Sequence, residues 1–174
     1  MQRPLEEILF KMKKKSKIKL LVLDIDGVLT DGGVYFTESG DEFKKFNVKD
    51  GLGIKNAVKA GIKVAFLSSG RTKKLIQRRA DLLNVKLVYV GHEEKCIILN
   101  QWRQELKISF SEIAYIGDDV NDLECIKKCG FSACPADASE KIKKEVKVVL
   151  KRKGGDACVR EFIERFLVKG LVTK

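Results

Sequence analysis

The 174-residue chain sets 35 Lys and Arg against 24 Asp and Glu, a formal charge of +11, and is 44% hydrophobic with two prolines. That balance fits one globular domain with a buried core and excludes a disordered or collagen-like chain. No apolar run approaches the roughly 20 residues that span a bilayer, and Glu6 and Glu7 interrupt any signal core, so the expected setting is the cytoplasm, with no membrane partner.

In chain order, Leu5, Ile8, Leu9 and Met12 recur at helical spacing, so Pro4–Lys14, within segment 1–17, reads as an amphipathic helix. Lys11, Lys13 and Lys14 then occupy a solvated face, which needs no nucleic-acid partner, although a basic surface can steer a dianionic phosphate. The apolar run Ile18–Leu23 reads as a buried parallel strand ending in Asp24-Ile25-Asp26-Gly27. Its end lies at the carboxyl edge where open α/β sheets bind ligands. Alternation aims Asp24 and Asp26 the same way, and two ionised carboxylates call for a hard divalent cation such as Mg2+. A plain surface turn with Gly27 at positive φ is the alternative.

Val34–Thr37 and Glu42–Phe46 flank a turn and read as a β-hairpin within residues 31–47. There follow a helix Leu52–Ala60 ended by Gly61, a strand Ile62–Leu67, a helix Thr72–Leu83, a strand Leu87–Val90 and a helix Glu94–Leu106. The series continues with strand Ile113–Ile116, helix Val120–Lys128, strand Phe131–Cys134, helix Ser139–Glu145 and strand Val146–Leu150. In the tail, residues 151–174, Asp156 is placed to cap a last helix running to Leu167. This alternation predicts a single domain of the α/β class: a Rossmann-like three-layer α/β/α with a mostly parallel sheet, a small β-hairpin flap and no cap domain.

Polar sets terminate the other strands as well. Ser68-Ser69-Gly70-Arg71, Lys95 and Gly117-Asp118-Asp119-Val120-Asn121-Asp122 would converge with Asp24 and Asp26 on one sheet edge. His92 is the only histidine, and no nucleophile motif of the G-x-S-x-G kind accompanies it. The five cysteines, Cys96, Cys125, Cys129, Cys134 and Cys158, form no C-x-x-C pair and read as small buried side chains.

With these residues in order, the chain resembles the haloacid dehalogenase superfamily, and within it the capless 3-deoxy-manno-octulosonate 8-phosphate phosphatases. The closer likeness rests on Asp26-Gly27-Val28-Leu29-Thr30-Asp31-Gly32, Phe46-Asn47-Val48-Lys49-Asp50-Gly51 and Gly154-Gly155-Asp156-Ala157-Cys158-Val159-Arg160-Glu161. The resemblance implies a Mg2+-dependent phosphomonoesterase of lipopolysaccharide precursor synthesis, acting on a phosphorylated sugar acid through an aspartyl-phosphate. It implies Asp24 as nucleophile, Asp26 as acid/base and Lys95 as the charge beside the phosphoryl oxygens. Asp24, the Asp26 carbonyl and Asp118 are the implied metal ligands, with Asp119 and Asp122 as alternatives or supports.

For phosphate and substrate, the family points to Gly27, Ser69, Gly70, Arg71, Lys95 and Arg160, while Ser68 competes with Ser69 because it fits the strand end better. A homotetramer, with a neighbouring subunit closing the entrance, is implied in the same way. Asp156 departs from the family, where a basic residue often follows the two glycines, and this leaves a nine-carbon sialic-acid-type 9-phosphate open as substrate. A non-catalytic oligomerising domain and a phospho-accepting receiver are the rival classes. A receiver takes its phosphoryl group on an Asp after a middle strand, unlike the order here.

Overall fold

Strand β1, Leu20–Leu23, is wholly buried because it is covered on both faces, and its alternate side chains divide the protein into two cores. Leu21 and Leu23 enter one, Leu20 and Val22 the other. The computed structural model describes residues 18–168, so the expected N-terminal helix and the end of the tail lie outside the described residues. Around β1 stand β4 (Lys63–Ser68), β5 (Leu87–Val90), β6 (Ile113–Ile116), β7 (Phe131–Cys134) and β8 (Val148–Val149), in the spatial order β5-β4-β1-β6-β7-β8. Every pairing in this sheet is parallel. A separate hairpin, β2 (Tyr35–Phe36) with β3 (Glu42–Phe43), stands between β1 and the first helix.

Helices α1 (Val48–Lys59), α2 (Lys73–Leu82) and α6 (Cys158–Phe162) pack on the face bearing Leu21, Leu23 and Phe66. Helices α3 (Lys95–Glu105), α4 (Leu123–Lys128) and α5 (Glu140–Glu145) cover the face bearing Val22, Leu67 and Tyr115. The expected three-layer architecture is therefore present, and no helix among the described residues is long and apolar enough to cross a membrane.

Three local expectations change. Helix α1 begins at Val48 rather than Leu52, because the Asn47 side chain accepts the Lys49 N–H at 2.9 Å and caps it. Gly51 and Gly53 obscure this helix in the sequence, yet both are needed for packing. A Cβ on Gly51 would stand 2.7 Å from Arg79 Nη2, and one on Gly53 2.9 Å from Arg160 Cδ. The edge strand β8 is confined to Val148–Val149. Asp156 does not cap α6: Ala157 precedes that helix at φ 64, and Asp50 of α1 accepts the Arg160 N–H at 2.7 Å instead. Burial pushes the Asp50 carboxyl up to about 6.

Candidate active site

Asp24 extends β1 by one residue, its N–H donating to the Ile116 carbonyl at 3.0 Å. Alternation places its side chain in phase with Leu20 and Val22, on the face covered by α3. The first residue of α3 is Lys95, whose side chain is only 2% exposed. Lys95 Nζ donates to Asp24 Oδ1 at 2.6 Å and to Asp122 Oδ1 at 2.7 Å. Asp122 is fully buried and accepts from every direction: the Tyr115 hydroxyl at 2.6 Å on Oδ1, and the Asp118 N–H at 3.1 Å on Oδ2. Through Asp122, therefore, the interior of β6 fixes both the lysine and the loop that carries Asp118.

Ligand oxygens of Asp24, Asp118 and Asp122 all lie within 4.8 Å of one another. Three carboxylates around one ammonium leave an excess of negative charge in a buried place. Burial first, then Asp122, raises the Asp24 carboxyl well above its usual range, and burial also pushes Asp118 up to about 6. Burial alone would depress the Lys95 ammonium, but Asp24 and Asp122 outweigh it and hold the lysine charged. The donor set is all oxygen, and a divalent cation would balance the excess, so these residues fit a hard cation such as Mg2+.

The neighbouring loops are built to this spacing. After Asp26 the chain turns at Gly27 with φ 90, where a Cβ would collide with Asp118 Oδ2. The tail reaches the same turn from the other side, with the Gly155 N–H on the Val28 carbonyl at 3.0 Å and Gly154 against the Gly27 carbonyl. Gly154→Ala should therefore strain the turn after Asp26 from a distance. Overpacking of this kind costs about 1–3 kcal/mol, and each kcal/mol should lower Tm by about 2–4 °C in a domain of this size. An unchanged thermal midpoint would remove the tail from this role.

Asp26, Ser68 and Gly70 are also brought together. A Cβ on Gly70 would stand 3.2 Å from Asp26 Oδ2, so this loop passes directly over Asp26. Ser68 is buried with its Oγ accepting the Gly70 N–H at 2.9 Å, whereas Ser69 and Arg71 are exposed. Two expected members stand apart. Asp119 is exposed, and its carboxylate accepts the Val120 N–H at 2.8 Å, outside the acid cluster. The Arg160 guanidinium pairs with Glu164, its stem packed on Gly53 of α1.

Sequence reasoning missed Lys44 and Tyr115. Lys44 Nζ, on the hairpin, donates to Asp26 Oδ1 at 2.6 Å and meets Glu42 at 2.9 Å. The signal for it was the period of two: Glu42 and Lys44 share one hairpin face, while Phe43 pairs with Tyr35 on the other. For Tyr115 the signal was a hydroxyl within an otherwise apolar strand, which when buried needs a partner.

An acid cluster with a buried lysine, at the carboxyl edge of a parallel Rossmann-like sheet, suits a protein that handles phosphate with a divalent cation, whether as receiver or as hydrolase. A profile of the haloacid dehalogenase-like hydrolases matches residues 91–162. The chain is 38% identical over 157 residues to the 3-deoxy-D-manno-octulosonate 8-phosphate phosphatase of Escherichia coli BL21-DE3, covering 90% of this chain and 83% of that one. It also superposes with TM-score 0.87 and 32% identity on the Moraxella catarrhalis enzyme of that name, solved with magnesium ion, phosphate ion and KDO, over 94% of this chain and 92% of that one. A cobalt-bound phosphatase of the same kind from Haemophilus influenzae gives TM-score 0.82 at 38% identity, over 87% and 88% of the two chains. The chain belongs to the 3-deoxy-D-manno-octulosonate 8-phosphate phosphatase family of haloacid dehalogenase-like hydrolases, and is a phosphoric monoester hydrolase.

Proposed function

We propose that the protein hydrolyses 3-deoxy-D-manno-octulosonate 8-phosphate to the free sugar acid and phosphate, with Mg2+ as cofactor. The observation that carries this reading is the Asp24–Lys95–Asp122 network beside Asp118, joined to 38% identity with phosphatases of that name. Asp24, Asp118 and the Asp26 carbonyl would hold the ion, which supplies positive charge to the phosphoryl group and keeps the acids ionised. Asp119 serves as a cap and Arg160 is held by Glu164, so neither enters this ligand and substrate set.

An Asp24 carboxylate oxygen attacks phosphorus as the bond to the sugar oxygen breaks, and Asp26 gives that oxygen its proton. Asp26 then takes a proton from water as the water oxygen displaces Asp24 from phosphorus. Lys95 stabilises charge on the transferring group, and Ser69 is read as its hydroxyl donor because it stands just before Gly70-Arg71 as the family places it; Ser68, whose Oγ accepts the Gly70 N–H, keeps its own proton and is the competing donor. Exposed Val34, Phe36, Phe43, Val48 and Leu52 on the hairpin and the start of α1 support burial against further copies in a homotetramer.

A substrate panel tests the reading. Phosphate release should require Mg2+, cease with a chelator, and favour the eight-carbon over the nine-carbon keto-sugar phosphate by about tenfold or more in kcat/KM, one pocket contact's worth of discrimination. A reversed preference would reassign the substrate, and Mg2+ binding with no turnover of any phosphosugar would leave only an oligomerising domain.

A further inference from the structure

We propose that Lys44 is the positioning residue that sets the Asp26 carboxylate for proton transfer, which makes the hairpin part of the catalytic apparatus. This rests on the phosphatase reading of the same site. Lys44 lies on an exposed hairpin of a lysine-rich chain, yet its side chain is only 6% exposed, against 67% for the adjacent Lys45. Burial of an ammonium in such a place requires partners, and it has two: Asp26 Oδ1 at 2.6 Å and Glu42 Oε1 at 2.9 Å.

The hairpin register explains why this lysine and not the next. Tyr35 pairs with Phe43, and their rings stack with centroids 5.3 Å apart. Lys45 and the Tyr35 hydroxyl both go to Asp31, at 2.9 and 2.7 Å. Glu42 and Lys44, on the opposite phase, are left to face Asp26. The hairpin is thus fastened at both ends of the turn that follows the nucleophile, at Asp26 by Lys44 and at Asp31 by Lys45 and Tyr35.

Asp26 needs such a hold. It follows the buried strand end, its side chain is 39% exposed, and a carboxylate free to rotate would present either oxygen to substrate. A charge-assisted bond on Oδ1, about twice as strong as a neutral one, fixes the rotamer. Oδ2 is left beside Gly70 as the oxygen that exchanges the proton. Glu42 opposes the lysine's charge, so the contact serves orientation more than added positive potential at the phosphate.

The leaving group separates this role from phosphate binding. A sugar alkoxide must be protonated as its bond to phosphorus breaks, whereas p-nitrophenolate departs with little help. Because kcat/KM reports the steps through that bond cleavage, Lys44→Met should lower it about 10²-fold for a sugar phosphate, the lower end of general-acid effects, and less than about tenfold for p-nitrophenyl phosphate. Lys44→Arg, which keeps the cation, should show a smaller leaving-group bias. Equal losses for both substrates, no loss for either, or the same bias in the Arg and Met variants would overturn the proposal. The comparison needs only an alkyl phosphate that the native enzyme turns over, so it stands or falls apart from the identity of the natural sugar acid.

Discussion

Asp24→Asn should bring phosphate release down by about 10⁴-fold or more, the scale seen when a covalent nucleophile is removed. The amide retains the shape of the side chain and can still accept from Lys95, but it cannot form the acyl phosphate that water then cleaves. Stability should move the other way. Folding raises the Asp24 carboxyl through burial and through Asp122, so its ionisation opposes the folded state at every pH above the ordinary carboxylate range. In the metal-free protein the Asn variant should therefore melt at or above the native midpoint at neutral pH, and the two midpoints should converge as pH falls below about 4, the unfolded value. Phosphate release at fixed Mg2+ and thermal melts with chelator give the two readouts. Undiminished turnover would exclude the covalent route.

The parts of this site legible in the sequence are those written in local order. A buried run followed by D-x-D specifies both strand and edge, and Lys95 and Asp118 are found because each closes a further run. Asp119 and Asp122 could not be separated that way. Both follow Gly117 within one turn, but Asp119 lies extended at φ −136 and caps its neighbour, while the short 3-10 turn folds Asp122 back under the loop. Where a Cβ on Gly117 would stand 2.5 Å from Asp122 Oδ2, only glycine admits that return.

The two lysines of the hairpin pose the same difficulty. Which of Lys44 and Lys45 faces the acids depends on strand register, fixed by Tyr35 and Phe43 rather than by either lysine. Asp50 illustrates the tertiary case. It reads as one more polar residue near a helix start, yet it caps a helix that begins more than a hundred residues later, and spacing carries no trace of that. Local pattern thus locates the edge and its charged groups, whereas their division of labour is set by contacts between distant segments.

Lys95→Met should combine loss of activity with the largest loss of stability among single changes at this edge. The thioether fills much of the same volume, so local packing changes little. What disappears is the one cation between Asp24 and Asp122, with both carboxylates left in a place where their side chains are 6% and 0% exposed. Removing one partner of a buried ion pair costs about 3–5 kcal/mol, because the other charge stays uncompensated. In the native protein the lysine's contribution is present throughout the neutral range. Its folded value is raised, so the stability it confers is complete below the unfolded value of about 10.4 and is lost only as pH rises through the higher folded value. In the variant the acids decide the pH dependence. Lys95 lowers both Asp24 and Asp118 in the native protein, so without it the two acids rise further and the variant's folded state holds more protons than the native one as they titrate. The variant's deficit should therefore be greatest above pH 7 and shrink as the medium is acidified toward pH 5. Mg2+ should also narrow the gap, by placing positive charge among the same oxygens. Melts of both proteins from pH 5 to 8, with Mg2+ and with chelator, measure all of this. A deficit that is the same at every pH and indifferent to Mg2+ would mean that Lys95 contributes packing alone, and that the acid cluster does not depend on its charge.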